Sequence, residues 1–224
     1  MNDIFVQKLL NEPLFKGLSP EKLSDMLNGE LSLRRKDFSK GEMIFRRGAK
    51  TDCFGLVLSG KVIIERSGYT GSRNILSAVD SGQIFAEVYA CSGSPLMVSA
   101  AAETNCSILF LSVDSILCSE CEVILKNLLN IMASKNLTLT RKINCLTPKT
   151  IRGRLTEYLS SVYEMKGSAQ FDIPFSRQQL ADFLNVDRSA LSAEIGKMSA
   201  EQLIVCRKNR FTLCESFLSD MHMI

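Results

Sequence analysis

The chain has a single histidine, His222, close to its C-terminal end. That scarcity removes several kinds of chemistry at once. A metal-dependent barrel enzyme needs a ligand triad that usually includes His, and Cys–His nucleophilic catalysis needs an imidazole beside the thiol. One terminal imidazole supplies neither, so an enzyme is not expected, and haem ligation by His is not expected either. Long apolar runs are also missing. No stretch reaches the roughly 18 apolar residues of a membrane-spanning helix, and MNDIFVQKLL lacks the basic start of a signal peptide. The expectation is a cytoplasmic protein with no membrane partner. Excess charge of one sign is scarce too: 27 Lys and Arg face 24 Asp and Glu, a formal net charge of +3. That is too small to argue for nucleic acid by itself, so any DNA contact must come from local placement of charge.

What is present is a chain of 224 residues with an apolar fraction of 46%, enough for one or two cored domains. Cysteine is plentiful: Cys53, Cys91, Cys106, Cys118, Cys121, Cys145, Cys206 and Cys214. In a reducing compartment these are expected as thiols. Most lie among apolar neighbours, where Cys packs as a small hydrophobe. Cys118 and Cys121 form the one pair at metal-ligand spacing, and a lone C-x-x-C without a second pair is a weak signal. No metal or cofactor is expected. A thiol- or metal-based redox sensor using Cys118 and Cys121 stays open as the alternative.

The stretch FSRQQLADFLNVDRSALSAEIGKMSAEQLI, residues 175–204, reads as two short helices around a tight turn. The first spans about Arg177 to Leu184, with Leu180, Phe183 and Leu184 apolar at helical spacing and Ser176 placed to cap it. Asn185-Val186 makes the break. Asp187 then caps a second helix, Arg188 to about Ser199, whose inner face is Leu191, Ile195 and Met198. Arg188, Ser189, Ser192 and Ala193 remain on the other face. A capped helix with Arg in its first turn suits a helix whose N-terminal residues meet base edges in the major groove. An ordinary amphipathic helical hairpin would share the inner face. Beyond it, Leu203-Ile204-Val205 and Phe211-Thr212-Leu213 read as strands around the basic turn Arg207-Lys208-Asn209-Arg210, where Asn209 tolerates positive φ. That is the pattern of a wing whose basic tip meets phosphates.

RQQLADFLNVDRSALSAEIGKM followed by LIVCRKNRFTL resembles the DNA-binding domain of the CRP/FNR transcription regulators. The resemblance implies a homodimer on double-stranded DNA, an inverted-repeat site, and RNA polymerase as a further partner. It places Arg188 and Ser189 against base edges, with Ser192 beside them or on phosphate. Arg177, Gln178, Lys208 and Arg210 would hold phosphates. Ala193 stands where many relatives carry Arg, so direct readout should be sparse.

The remainder of the chain is consistent with that family. Short helices are expected at residues 2–10 and 19–28. From Leu31 to Leu111 short apolar runs alternate with turn signals every 8–12 residues, which argues for a small β-sandwich or barrel. FSKGEMIFRRGAKTDCFGLVLSGKVII resembles the first half of a cyclic-nucleotide-binding-type jelly roll. The cassette that takes the nucleotide in such barrels departs from the pattern. In GQIFAEVYACSGSPLMVSA, Gly82, Phe85 and Glu87 fit, but Ala86 replaces the usual Gly and the phosphate-binding Arg position falls on Leu96 or Met97. No Arg or Lys occurs between Arg73 and Lys126. A buried phosphate would lack its counter-charge, at a cost on the order of several kcal/mol. The expectation is therefore an unknown small-molecule effector that is not a cyclic nucleotide. A site walled by Phe85, Val88, Tyr89, Leu96 and Met97 with Glu87 as polar anchor would suit an apolar or weakly polar ligand; the same residues could simply fill the barrel.

From about Cys121 to Ile143 the pattern is continuously helical. Leu125, Leu129, Met132, Asn136, Leu139 and Ile143 step by 4, 3, 4, 3 and 4 residues, a heptad seam of the kind that pairs with its own copy. Asn136 would fix its register; a helix lying against its own barrel is the other reading of this stretch. By the family pattern Leu139 and Thr140 lie near effector contacts. Leu146-Thr147-Pro148 ends the seam as a hinge. The expected architecture is α+β: an N-terminal jelly-roll barrel (1–120), a dimerisation helix and hinge (121–146) and a C-terminal winged helix-turn-helix (147–224).

Overall fold

A computed structural model describes residues 3–29, 33–67, 73–118 and 122–221. Contacts divide the chain into two compact units, Met1–Ala133 and Ser134–Ile224. The boundary falls inside one long helix.

The first unit begins with α1 (Asp3–Leu10), a 3₁₀ turn (Pro13–Phe15) and α2 (Pro20–Asn28). Ser19 caps α2, its hydroxyl accepting from the Lys22 amide at 3.2 Å, with Pro20 at the first helical position. Eight strands follow: β1 (Leu33–Phe38), β2 (Met43–Phe45), β3 (Cys53–Ser59), β4 (Lys61–Ser67), β5 (Arg73–Asp80), β6 (Ile84–Phe85), β7 (Ser99–Ala102) and β8 (Cys106–Ser112). They form two antiparallel four-stranded sheets, in the orders β1-β8-β3-β6 and β2-β7-β4-β5. The short helices α3 (Glu87–Ser92) and α4 (Val113–Cys118) interrupt and follow the strands.

The continuous apolar runs of β3 and β8 have a physical reason: both strands are buried on both faces. Val57, Ile108 and Phe110 point between the sheets, with Phe38, Phe85 and Val62. Phe54, Leu56, Leu58, Leu109 and Leu111 point the other way, into a core closed by α1, α2 and the start of the long helix. At the β3–β4 turn Gly60 holds φ +84°, and a Cβ there would strike the backbone of Asn105. Only glycine fits such a close approach at that φ.

The long helix α5 spans Glu122–Leu146. In the first unit Ile124 and Leu128 are its buried residues, and Met132 packs at the edge of the same core. The second unit continues with α6 (Ile151–Lys166), β9 (Gln170–Asp172), α7 (Arg177–Leu184), α8 (Arg188–Ala200), β10 (Ile204–Arg207), β11 (Arg210–Leu213) and α9 (Glu215–Met221). Leu155 and Leu159 of α6, Leu180 and Leu184 of α7, and Leu191, Ile195 and Met198 of α8 meet in its core. The sheet order is β10-β11-β9.

Expected and observed elements agree within a few residues. The differences have local causes. β6 is only two residues long, too short to show a period. The helices α3, α4 and α9 are single or double turns without a sustained apolar stripe. In the wing, positive φ falls on Lys208 (+55°), not on Asn209. Cys121, the side chain of Cys118 and His222 lie outside the described residues.

Candidate nucleic-acid interface and effector cassette

Local sequence builds the helix pair. Ser176 and Gln179 form a reciprocal capping box at the start of α7: the Ser176 hydroxyl accepts from the Gln179 amide at 3.3 Å, and the Ser176 amide donates to Gln179 Oε1 at 2.8 Å. Asn185 ends α7 in the left-handed region at φ +52°. Asp187 then caps α8, one carboxylate oxygen accepting from the amides of Ser189 (2.8 Å) and Ala190 (2.9 Å) and from the Ser189 hydroxyl. The Ser189 hydroxyl bond and then the Ala190 amide hold the Asp187 carboxyl below the ordinary Asp range. The outward face of α8 carries Arg188, Ser189, Ser192, Ala193 and Gly196, all exposed. A Cβ at Gly196 would meet nothing within 4 Å. Except for Arg188 the face is small, which lets a helix backbone come close to a groove floor.

The expected DNA-contact residues sort into two groups. Arg188, Ser192 and Lys208 are exposed, and among the described residues their side chains have no partner. The others already have work inside the protein. Arg177 donates from Nη2 to Cys206 Sγ at 3.2 Å and lies over the Phe211 ring at 5.8 Å. Gln178 donates to Asp182 at 2.8 Å. Arg210 makes two bonds of 3.0 Å to the Asp172 carboxylate, joining β11 to β9. Those bonds hold Asp172 below the usual carboxylate range. Ser189 spends its proton on Asp187 and keeps only acceptor capacity. Arg207 is exposed beside Lys208 in the same basic turn, and among the described residues its side chain also has no partner.

In the first unit the cassette folds as β6, then α3. Ala86 sits at φ +66°, the left-handed conformation for which a cassette Gly is suited. Glu87 follows and is buried, with 4% of its surface exposed. Phe85 belongs to the barrel core, its ring 5.8 Å from that of Phe45. Leu96 is buried, and its backbone pairs with the β2–β3 loop: Gly48 N to Leu96 O at 2.8 Å, Leu96 N to Ala49 O at 2.9 Å. That loop carries exposed Arg46, Arg47 and Lys50. Val88 (54%) and Met97 (71%) are exposed, and Tyr89 is half-buried. The expected walls are thus split between the core and the surface. Leu139 and Thr140 lie on the part of α5 in the other unit, both exposed. A cavity of about 480 Å³ lies in that second unit, against Cys145, Ser160, Met198 and Phe217, and none of the expected effector residues lines it.

Of the heptad seam, Leu129 (58%), Leu139 (62%) and Ile143 (64%) are exposed in the single chain, as is Asn136, while Leu125 and Met132 are half-buried. Among the described residues no cluster of His, Cys, Asp and Glu could hold a metal ion, and no helix is long and apolar enough to cross a membrane. Burial pushes the thiols of Cys91, Cys106 and Cys145 up, and that of Cys53 up to about 11, which disfavours thiolate at these four positions.

A double-sheet barrel in one unit and a helix pair with a wing in the other define a two-part architecture, a barrel followed by a winged helix-turn-helix. Residues 35–117 match the model of the cyclic nucleotide-binding domain, and residues 153–215 match that of the Crp-like helix-turn-helix domain. Among solved structures, the catabolite activator protein of Thermus thermophilus is similar over 93% of this chain and 96% of its own, at 22% identity and a TM-score of 0.55. A mutant of CooA from Carboxydothermus hydrogenoformans shares 17% identity over 97% and 94%, with a TM-score of 0.56. DNR from Pseudomonas aeruginosa shares 21% over 99% and 98%, with a TM-score of 0.50. At these identities the structures carry the likeness of fold. No curated protein matches the chain. The two domain matches and the common fold place the chain in the CRP/FNR family of DNA-binding transcription regulators, which are not enzymes.

Proposed function

We propose that the chain is a homodimeric regulator whose barrel answers to a small molecule other than a cyclic nucleotide. Residues 1–120 form the sensor, 121–146 the dimerisation helix and hinge, and 147–224 the DNA-binding part. The exposed Leu129, Leu139 and Ile143 support pairing through α5, since apolar side chains at heptad spacing gain by being covered. Arg188, Ser189 and Ser192 read base edges, and Lys208, Arg177, Gln178 and Arg210 meet phosphates and position the domain. Effector bound by Glu87 and its neighbours shifts the population of hinge angles, and the angle sets the spacing of the two recognition helices.

The observation that carries the effector reading is the identity of the residues at the cassette's Arg position. Leu96 is buried and apolar, Met97 is apolar, and residues 74–125 contain no Arg or Lys. A phosphate monoanion there would be desolvated without a bidentate partner. Calorimetric titration of the full chain with cyclic AMP should show no binding at micromolar concentration. Micromolar affinity would refute the reading and would point to Arg46 or Arg47 as a substitute cation. Leu96→Arg alone should not create binding, because Ala86 also departs from the cassette pattern.

A further inference from the structure

The connection between α5 and α6 is fixed by three separate devices, one of which reaches the helix pair. Thr150 caps α6, its hydroxyl accepting from the Gly153 amide at 3.0 Å. Pro148 packs so closely on the first turn that a Cβ at Gly153 would come within 2.8 Å of the Pro148 Cβ. The third device is Arg154. Its Nε donates to the Pro148 carbonyl at 2.8 Å, and its Nη1 donates to the carbonyls of Leu184 and Asn185, both at 3.0 Å. Leu184 is the last residue of α7 and Asn185 its left-handed cap. These are the carbonyls that a helix end leaves without partners, at the negative end of its dipole. Among the described residues Arg154 makes no carboxylate ion pair, and its charge is met by these backbone oxygens. A second clasp runs beside it: Arg152 binds Glu194 of α8 at 2.6 Å and both oxygens of Glu201 at 2.7 and 2.8 Å.

We infer that Arg154 is the positioning residue that couples the α5–α6 connection to the turn between α7 and α8. Arg152 holds α6 to the body and far end of α8. Arg154 touches both the connection and the turn. A shift of Pro148 pulls one side of its planar guanidinium while Nη1 remains on the α7 end, so connection and turn change together. Lys cannot replace it: a single ammonium lacks the fork that spans separated acceptors. The functional meaning rests on the reading that α7 and α8 bind DNA, because the turn precedes Asp187, the cap that aims the first residues of α8.

The coupling is tested without DNA by a double-mutant cycle in the full chain. Gly153→Ala displaces Pro148 and perturbs the connection. Amide hydrogen exchange is then followed at residues 185–187, with thermal melts confirming cooperative folding. In the wild-type background Gly153→Ala should speed exchange at the turn by about fivefold or more, the size of coupling seen between residues in one network. In the Arg154→Lys background the same substitution should leave turn exchange unchanged. Equal acceleration in both backgrounds overturns the inference, and so does no acceleration in either. Should Gly153→Ala fail to fold, Thr150→Ala perturbs the connection by removing only its cap and is read the same way. Failure of the wild-type chain to bind any DNA sequence would instead overturn the reading of α7 and α8 as a DNA-binding pair, and the cycle stands apart from it.

Discussion

At the scale of single residues, the interface depends on which cations are free. Sequence supplies the cations and their turn, but not their partners. Arg210 is committed to Asp172, which lies 38 residues away in the chain. Arg177 leans on Cys206 and Phe211 from a different element. Both pairings are tertiary, so no local pattern announces them, whereas the caps Ser176 and Asp187 act within three residues and were readable. Arg188 and Lys208 carry the sharpest expectation. Arg188→Ala should cut specific binding by about 1–3 kcal/mol and relax preference at one base pair in each half-site. Lys208→Ala should weaken binding to all sequences alike and lower the salt slope by about one unit per protomer. Titration of fluorescent duplexes at several salt concentrations separates the two. Unchanged affinity and preference in Arg188→Ala would remove α8 as the reader.

At the scale of elements, the cassette and the long helix give the clearest tests. Ala86 holds a left-handed conformation that costs a residue with a Cβ about 1 kcal/mol. Ala86→Gly should therefore raise the melting temperature of the full chain by a few degrees; a lower one would show that the side chain's packing outweighs the relief of strain. The loss of the cassette's cation was legible because it is a matter of composition. The splitting of its apolar residues between core and surface was not, since Phe85 follows strand pairing with β3 and Val88 follows the direction of α3. In α5 the sequence shows a seam, but Ile124 and Leu128 on a neighbouring face are the ones buried against the barrel. One helix thus carries two apolar faces, and much of the seam is left uncovered in the single chain. Leu129→Asp should dissociate the dimer, because an unpaired charge at the seam costs on the order of several kcal/mol. Sedimentation at micromolar concentration should show a dimer for the wild type and a monomer for the variant. A wild-type monomer would remove α5 as a pairing element.

At the scale of the whole molecule, the division into barrel, long helix and winged helix pair was legible because each part has its own signal: short apolar runs between turn signals in the barrel, and apolar spacing of three to four residues in the helices. Symmetry ties these parts to function. A homodimer presents two copies of α8 related by a two-fold axis, and each copy can read one half-site from Arg188 and Ser192. The site it prefers must carry the same symmetry. Selection of bound duplexes from a random pool by the full-length chain tests this most directly. An inverted repeat is predicted, its half-sites centred about one helical turn apart and its preference at one position in each half lost with Arg188→Ala. Enrichment of a single unrepeated site, or of no sequence at all, would contradict a dimeric regulator that reads DNA through α8.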